Sequence, residues 1–217
     1  GVITFNGSAT AADWQTFLRT VTYSNSNTAQ YGDRTITFSA GNLSGNSNGH
    51  FYELVSTSGS WTTSKASAAA RTYLGLTGYL ATITSASENA FIRQVLNADA
   101  WIGCADEYTQ INAATGVTTY ANQAAAEGKW YWVTGPEKGT MFSVGNNSPV
   151  TQSGQYANWN SGEPNNSGSE HYGEIYSSGS TPGAWNDLPN VSLPYVVEYG
   201  GLATDPIQTI STSTTIY

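Results

Sequence analysis

The sequence predicts an α+β domain of irregular antiparallel strands, two short helices and one long loop, inserted in or joined to a small β-sandwich portion. Three observations carry this. Short alternating apolar segments recur along the 217 residues. Two segments carry helix signals. The stretch from Gly135 to Pro182 has no period but holds Phe142, Tyr156, Trp159 and Tyr172. A loop of that length is either functional or disordered, and four aromatics argue against disorder.

The elements follow in order. Val2–Phe5, Val21–Tyr23 and Thr35–Phe38 alternate as half-buried strands, and a short helix opens at Thr10 with Trp14, Phe17 and Leu18 on one face. The Gly/Asn/Ser run from Gly41 to Gly49 marks a junction. Beyond it, His50–Val55 reads as a strand and Thr62–Leu74 as an Ala-rich helix. Leu80–Ile83 precedes Ser85-Ala86-Ser87-Glu88, an S-x-x-E capping box that starts a helix carrying Ala90, Phe91, Val95 and Leu96. Trp101–Cys104 and Trp130–Val133 read as buried strands, separated by a polar, Ala/Thr-rich insertion at Gln110–Ala126. Trp185 and Tyr195–Tyr199 close the domain with strands, and Ile207–Tyr217 is a Thr/Ser/Ile strand after Asp205-Pro206. The expected division is residues 1–43 and 201–217 as two parts of one split β-sandwich, with the domain at 44–200 between them; the alternative makes Ile207–Tyr217 an ordinary C-terminal edge strand of that domain.

Composition narrows the function classes. Charged residues make up only 10%, far below the usual quarter, and Ser, Thr, Asn and Gly take their place, which suits an extracellular module. A net charge of −8 argues against a nucleic-acid partner, which needs clustered Lys and Arg. No apolar run approaches a membrane span, so membrane insertion is not expected. One cysteine, Cys104, forms no intramolecular disulfide and reads as a small buried hydrophobe. With no signal peptide and no initiator Met, the chain reads as a piece of something larger.

Charge is uneven. After Lys138 there is no Lys or Arg, yet Glu163, Glu170, Glu174, Asp187, Glu198 and Asp205 follow. Each alone reads as a solvated acid, but a group of acids among Asn and Gly also suits a bound hard cation. Glu163 and Asn165 flank a proline whose peptide bond can be cis, which would aim both side-chain oxygens one way. Asn186-Asp187 and Glu170 add three more donors. An all-oxygen set of Glu163, Asn165, Glu170, Asn186 and Asp187 suits Ca2+ and does not suit zinc or copper. Open positions on such an ion accept sugar hydroxyls. A purely structural calcium site is the alternative. Neither His50 nor His171 sits in a recognisable triad, so no catalytic residue is assigned and an enzyme is not expected, although Glu163 and Glu170 could form a glycosidase pair.

Residues of about 50–199 resemble a C-type lectin-like domain. The resemblance rests on the capping-box helix after Leu80-Ala81-Thr82-Ile83, on Trp101-Ile102-Gly103, on Glu127-Gly128-Lys129-Trp130-Tyr131-Trp132, and above all on Glu163-Pro164-Asn165 followed by Trp185-Asn186-Asp187. It implies that Glu163, Asn165, Glu170, Asn186 and Asp187 hold one calcium and hydrogen-bond the two sugar hydroxyls that complete its coordination. Glu-Pro-Asn implies mannose, fucose, glucose or N-acetylglucosamine type glycans; galactose binders usually carry Gln-Pro-Asp. Asp106 and Glu127, with Asn166, match an auxiliary metal site. The sequence departs from the family in four ways. The two usual disulfides are absent, with Tyr172 and Val197 where cysteines are expected, as in many bacterial lectin-like domains. Cys104 replaces an aliphatic residue. Glu170 follows Glu163 one residue sooner than usual. A long insertion separates Asp106 from Glu127.

The ends resemble repeat units of bacterial RTX-type adhesins, in Ala11–Tyr23, Gly32–Phe38 and Glu198–Gly201. Together the resemblances imply a calcium-dependent glycan-binding module of a larger adhesin chain, secreted or on a bacterial cell surface, serving cell adhesion and biofilm. The alternative is a calcium-stabilised protein- or ice-binding module on the same fold, since fold alone does not fix function.

Overall fold

A computed structural model describes residues 19–20, 44–45 and 49–205. The chain divides into two units, Ser39–Thr209 and Gly1–Phe38 with Ile210–Tyr217. All elements below belong to the first. The expected pairing of the two ends into one β-sandwich lies outside the described residues.

Strand β1 (Ser44–Gly45) pairs with β2 (Phe51–Gly59), which runs past the expected end at Val55. Helix α1 (Trp61–Ala69) is capped by Ser60, whose Oγ accepts the Thr63 N–H at 3.2 Å. It ends earlier than expected, because Leu74 and Gly75 both take positive φ and turn the chain back. That two-residue turn joins β3 (Thr72–Tyr73) to β4 (Leu76–Leu80) as a hairpin. Helix α2 (Ala86–Val95) starts at the anticipated cap, with the Glu88 N–H donating to Ser85 Oγ at 3.2 Å. The Glu88 carboxylate reaches back to the Thr84 N–H at 2.7 Å, one residue before the cap.

Strand β5 (Ala100–Ala105) is buried throughout. At Gly103 a Cβ would lie 2.0 Å from Thr134 Oγ1 and 2.5 Å from the Leu80 carbonyl, so only glycine permits this approach. The insertion folds into α3 (Tyr108–Thr115), which ends at Gly116 in the left-handed region, and α4 (Gln123–Ala126), capped by Asn122. The described residues thus hold four helices where two were expected. The stretch expected to be irregular contains β7 (Met141–Val144), β8 (Val150–Thr151) and β9 (Tyr172–Ile175), between β6 (Lys129–Trp132) and β10 (Trp185–Leu188). Strand β11 (Leu193–Tyr199) closes the domain.

The sheet runs β1-β2-β11-β5-β6-β7-β8, with β4 also on β11 and the β9–β10 pair on β5. Every described pairing is antiparallel except the β11–β5 contact and the Trp159–Trp185 bridge. Two apolar clusters fill the interior. One gathers Trp61, Trp101, Tyr172 and Val197; the Tyr172 ring stacks on Trp61 at 4.9 Å, so aromatic and aliphatic packing occupies both sites where cysteines were expected. The other gathers Ile92, Cys104, Trp130, Trp132, Phe142 and Trp185. Cys104 is fully buried, as anticipated, and leaves no space for a side chain at Gly173. Among the described residues, no helix is long and apolar enough to cross a membrane.

Candidate cation site in the long loop

Aromatic packing anchors the ends of the loop that carries Glu163 and Asn165. Trp159 meets Trp130 edge-on at 4.7 Å and Trp185 at 5.9 Å. The Trp185 N–H donates to the Asn158 carbonyl and the Trp185 carbonyl accepts the Asn160 N–H, both at 2.8 Å. The Trp185 indole N–H donates to Asn89 Oδ1 on α2, and that of Trp159 to Ser143 Oγ on β7. The loop is therefore sewn to β10 immediately before Asn186 and Asp187. Between the anchors the Glu163–Pro164 bond is cis.

Asp187 organises the turn that follows. Its side chain is fully buried; Oδ1 accepts the Asn165 N–H at 2.9 Å and Oδ2 the Asn166 N–H at 2.8 Å. Ser167 N–H donates to Asn165 Oδ1 at 2.7 Å and to Glu170 Oε2 at 2.9 Å. Asn166 Oδ1 accepts the Glu170 N–H at 2.9 Å. Asn166, Gly168 and Ser169 all take positive φ, which bends the segment tightly enough to return Glu170 to Asn165.

Asp187 and Asn165 are both close enough to shift the Glu163 carboxyl, in opposite directions. Its Oε2 is buried and has no hydrogen-bond partner. Burial holds the Glu163 carboxyl above the usual range, and the Asp187 and Glu170 charges raise it further. The Glu170 carboxyl is also raised, by burial first and then by Asp187. Of the five sequence-named donors, Asp187 meets the backbone of Asn165, Glu170 is linked to Asn165 through the shared Ser167 N–H, and the Asp187 and Glu170 charges act on Glu163. Asn186 sits opposite Glu174 on the β9–β10 pair and donates its Nδ2–H to Glu174 Oε1 at 2.9 Å.

Glu174 is the member that sequence reasoning left out. It is 4% exposed and pushed up to about 7 by burial, against the Asn186 hydrogen bond and with help from Asp99, Glu170 and Glu163. Its bond to Asn186 fixes the amide so that Oδ1 is free to accept or coordinate. Its signal in the sequence is its place in the run of acids that no Lys or Arg accompanies after Lys138.

The chemistry of this set fits a hard cation. All first donors are oxygens, three of them carboxylates, and no Lys or Arg lies in the chain from Gly139 on. A buried carboxylate oxygen with no donor is costly, and like charges in contact add to that cost. A divalent cation offsets both.

Asp106 and Glu127 are brought together, but with His171; Asn166 is occupied with Glu170 and Asp187. Asp106 Oδ1 lies 2.9 Å from His171 Nδ1, and Glu127 Oε2 lies 3.8 Å from the same atom. The imidazole is held above its ordinary range by the hydrogen bond to Asp106, against the effect of burial. Among the described residues, two groups of His and carboxylate side chains offer ligand atoms within 4.8 Å of one another: this one, and His50 with Glu88 and Glu198. The carboxylates of Glu163, Glu170 and Asp187 do not all come within that distance of one another.

No family model matches the chain. The chain is 42% identical over 211 residues to Halomucin of Haloquadratum walsbyi; this covers 93% of the chain but spans only 2% of the length of that relative. Among solved structures it is similar to the C-type lectin CEL-I from Cucumaria echinata, with a TM-score of 0.51 and 20% identity over 76% of this chain and 99% of that one. An EPNH mutant of CEL-I is similar to the same extent, with a TM-score of 0.52, 20% identity and the same coverage. The α+β element order and these neighbours together establish a C-type lectin-like fold for the described unit.

Proposed function

We propose that this chain is a calcium-dependent carbohydrate-binding module, and a binding protein rather than an enzyme. Glu163, Asn165, Glu170, Asn186 and Asp187 would hold the ion. When bound, calcium supplies open coordination positions for two neighbouring sugar hydroxyls. The chain's own part is to present carboxylate acceptors and amide donors to those hydroxyls at fixed points. Glu163 before the proline and Asn165 after it set the order of acceptor and donor, which favours mannose, fucose, glucose or N-acetylglucosamine type ligands. The observation that carries the reading is the buried Oε2 of Glu163, which has no hydrogen-bond partner although the Asp187 charge acts on the same carboxyl.

The glycan partners would be cell-surface glycans, and the module would serve a larger secreted or cell-surface adhesin. Its similarity to a small fraction of a far longer relative supports that setting. Affinity for one monosaccharide is expected in the high micromolar to millimolar range, because each hydrogen bond in a wet site nets only about 1 kcal/mol. Adhesion then relies on many copies, which raise avidity roughly 100- to 10,000-fold. A glycan array probed in calcium and again in chelator tests the reading. Calcium-dependent capture of mannose- or fucose-type glycans is expected. Chelator-insensitive capture, or no capture on an array of broad coverage, would overturn it.

A further inference from the structure

We propose that Asp106, Glu127 and His171 form a second metal site, selective for a zinc-class transition metal and independent of the carbohydrate reading. The donor set is one imidazole nitrogen and two carboxylate oxygens. Calcium takes oxygen donors, whereas imidazole suits zinc, copper and nickel. His171 therefore changes which ion these residues select.

The geometry is that of ligands already aimed. Asp106 uses Oδ2 to accept the Gly128 N–H at 2.8 Å and turns Oδ1 to His171 Nδ1 at 2.9 Å. Glu127 uses Oε1 to accept Asn146 Nδ2–H at 3.0 Å, which leaves Oε2 at 3.8 Å from Nδ1. Each carboxylate is thus fixed by a donor outside the group, the arrangement that orients metal ligands elsewhere. The two separations bracket the roughly 3.3 Å that neighbouring ligands keep around a tetrahedral zinc with bonds of about 2.0–2.1 Å.

Gln123 holds the Asp106 end of the group, its Nε2–H donating to the Asp106 carbonyl at 3.2 Å. Its amide needs no acceptor at Nδ1, so a metal ion can take the Nδ1 lone pair and the Asp106 oxygen together. Asp106 is fully buried, but the His171 and Glu127 side chains are 17% and 26% exposed, so the ion can enter from solvent. Three protein ligands leave one position for water.

The test uses the whole chain, stripped with chelator, dialysed, and titrated with zinc chloride in millimolar calcium chloride. One zinc equivalent is expected to bind, and cobalt(II) to bind in its place with an absorption band that calcium does not bleach. His171→Gln and Glu127→Gln are each expected to weaken zinc binding at least about tenfold. Glu127→Gln alters a partly exposed side chain and so keeps the proposal testable if the His171 variant does not fold. Equal zinc affinity in the parent and Glu127→Gln, or displacement of zinc by millimolar calcium, overturns it. Calcium binding measured separately through the Glu163 loop keeps this outcome distinct from failure of the carbohydrate reading.

Discussion

Two groups of buried carboxylates lie at different places in the same unit, and they are treated differently. In the first, Glu198 on β11 and Glu88 on α2 have every oxygen bonded. Glu198 Oε1 meets His50 Nδ1 at 2.5 Å and lies 3.2 Å from the Tyr52 hydroxyl oxygen, and its Oε2 accepts the Thr82 N–H at 2.9 Å. Glu88 Oε1 accepts from the Tyr52 hydroxyl, and Oε2 from the Thr84 N–H and hydroxyl. In the second, the Asp187 and Glu170 charges act on Glu163, and the Glu163 Oε2 has no partner at all. Buried charge is tolerated when fully hydrogen-bonded and otherwise needs a counter-ion. The first group therefore reads as scaffold and the second as a place prepared for a ligand.

The largest effect is expected at Asp187, where both roles coincide. Asp187→Ala removes a proposed ion ligand and strands the Asn165 and Asn166 N–H groups. It should cost roughly 2–4 kcal/mol of stability in the metal-free chain and abolish sugar binding. Denaturant unfolding in chelator and sugar titration in calcium measure the two losses separately.

Calcium itself should come next. An ion that binds only the folded form adds about 2.7 kcal/mol at a hundredfold excess over its Kd, which differential melting in calcium and chelator reads directly. An unchanged melting temperature would remove the case for an essential site.

The two groups should also separate by pH. Burial pushes Glu198 up to about 7, and Glu174 likewise up to about 7, while the His50 imidazole is raised by its bond to Glu198. A carboxyl with a raised folded pKa keeps its proton longer in the native state than in the unfolded chain. Its contribution is present below about 4.5 and is lost as pH rises to about 7; the His50 contribution is lost further up, through its raised value. Metal-free stability should therefore fall between about pH 4.5 and 7, by up to about 1.4 kcal/mol per pH unit for each such group. Calcium should reduce the part due to the loop and leave the Glu198 part unchanged. A metal-free stability that rises over this window would contradict the assignment.

The smallest stability change should accompany the clearest change in specificity. Glu163→Gln with Asn165→Asp exchanges acceptor and donor across Pro164 and should shift preference from mannose or fucose toward galactose. Competition between free monosaccharides measures it; an unchanged preference would place selectivity outside this pair.

What the sequence made legible was local or strongly patterned. Ser85 and Glu88 announce a helix start through a hydrogen bond three residues long, and it is there. Trp101–Cys104 reads as a buried strand because four apolar or small residues adjoin, and it is. The helices of the insertion were hidden because Ile111 and Ala126 are the buried side chains in α3 and α4, too few to print a period. Strand β9 was hidden because Glu174 breaks its apolar pattern, and its burial depends on Asn186 across the pair. The loop donors could be named from Glu-Pro-Asn and Trp-Asn-Asp. That Asn166 is turned away from Asp106 while His171 meets it depends on tertiary folding that no local spacing records.

The most direct test compares the calcium-induced rise in melting temperature in the parent chain, in Glu163→Gln and in Glu198→Gln. Glu198→Gln is expected to melt lower than the parent in chelator yet keep the full calcium shift. Glu163→Gln is expected to melt near the parent in chelator and to lose most of the shift. A calcium shift that survives in Glu163→Gln and vanishes in Glu198→Gln would contradict the division between scaffold and site.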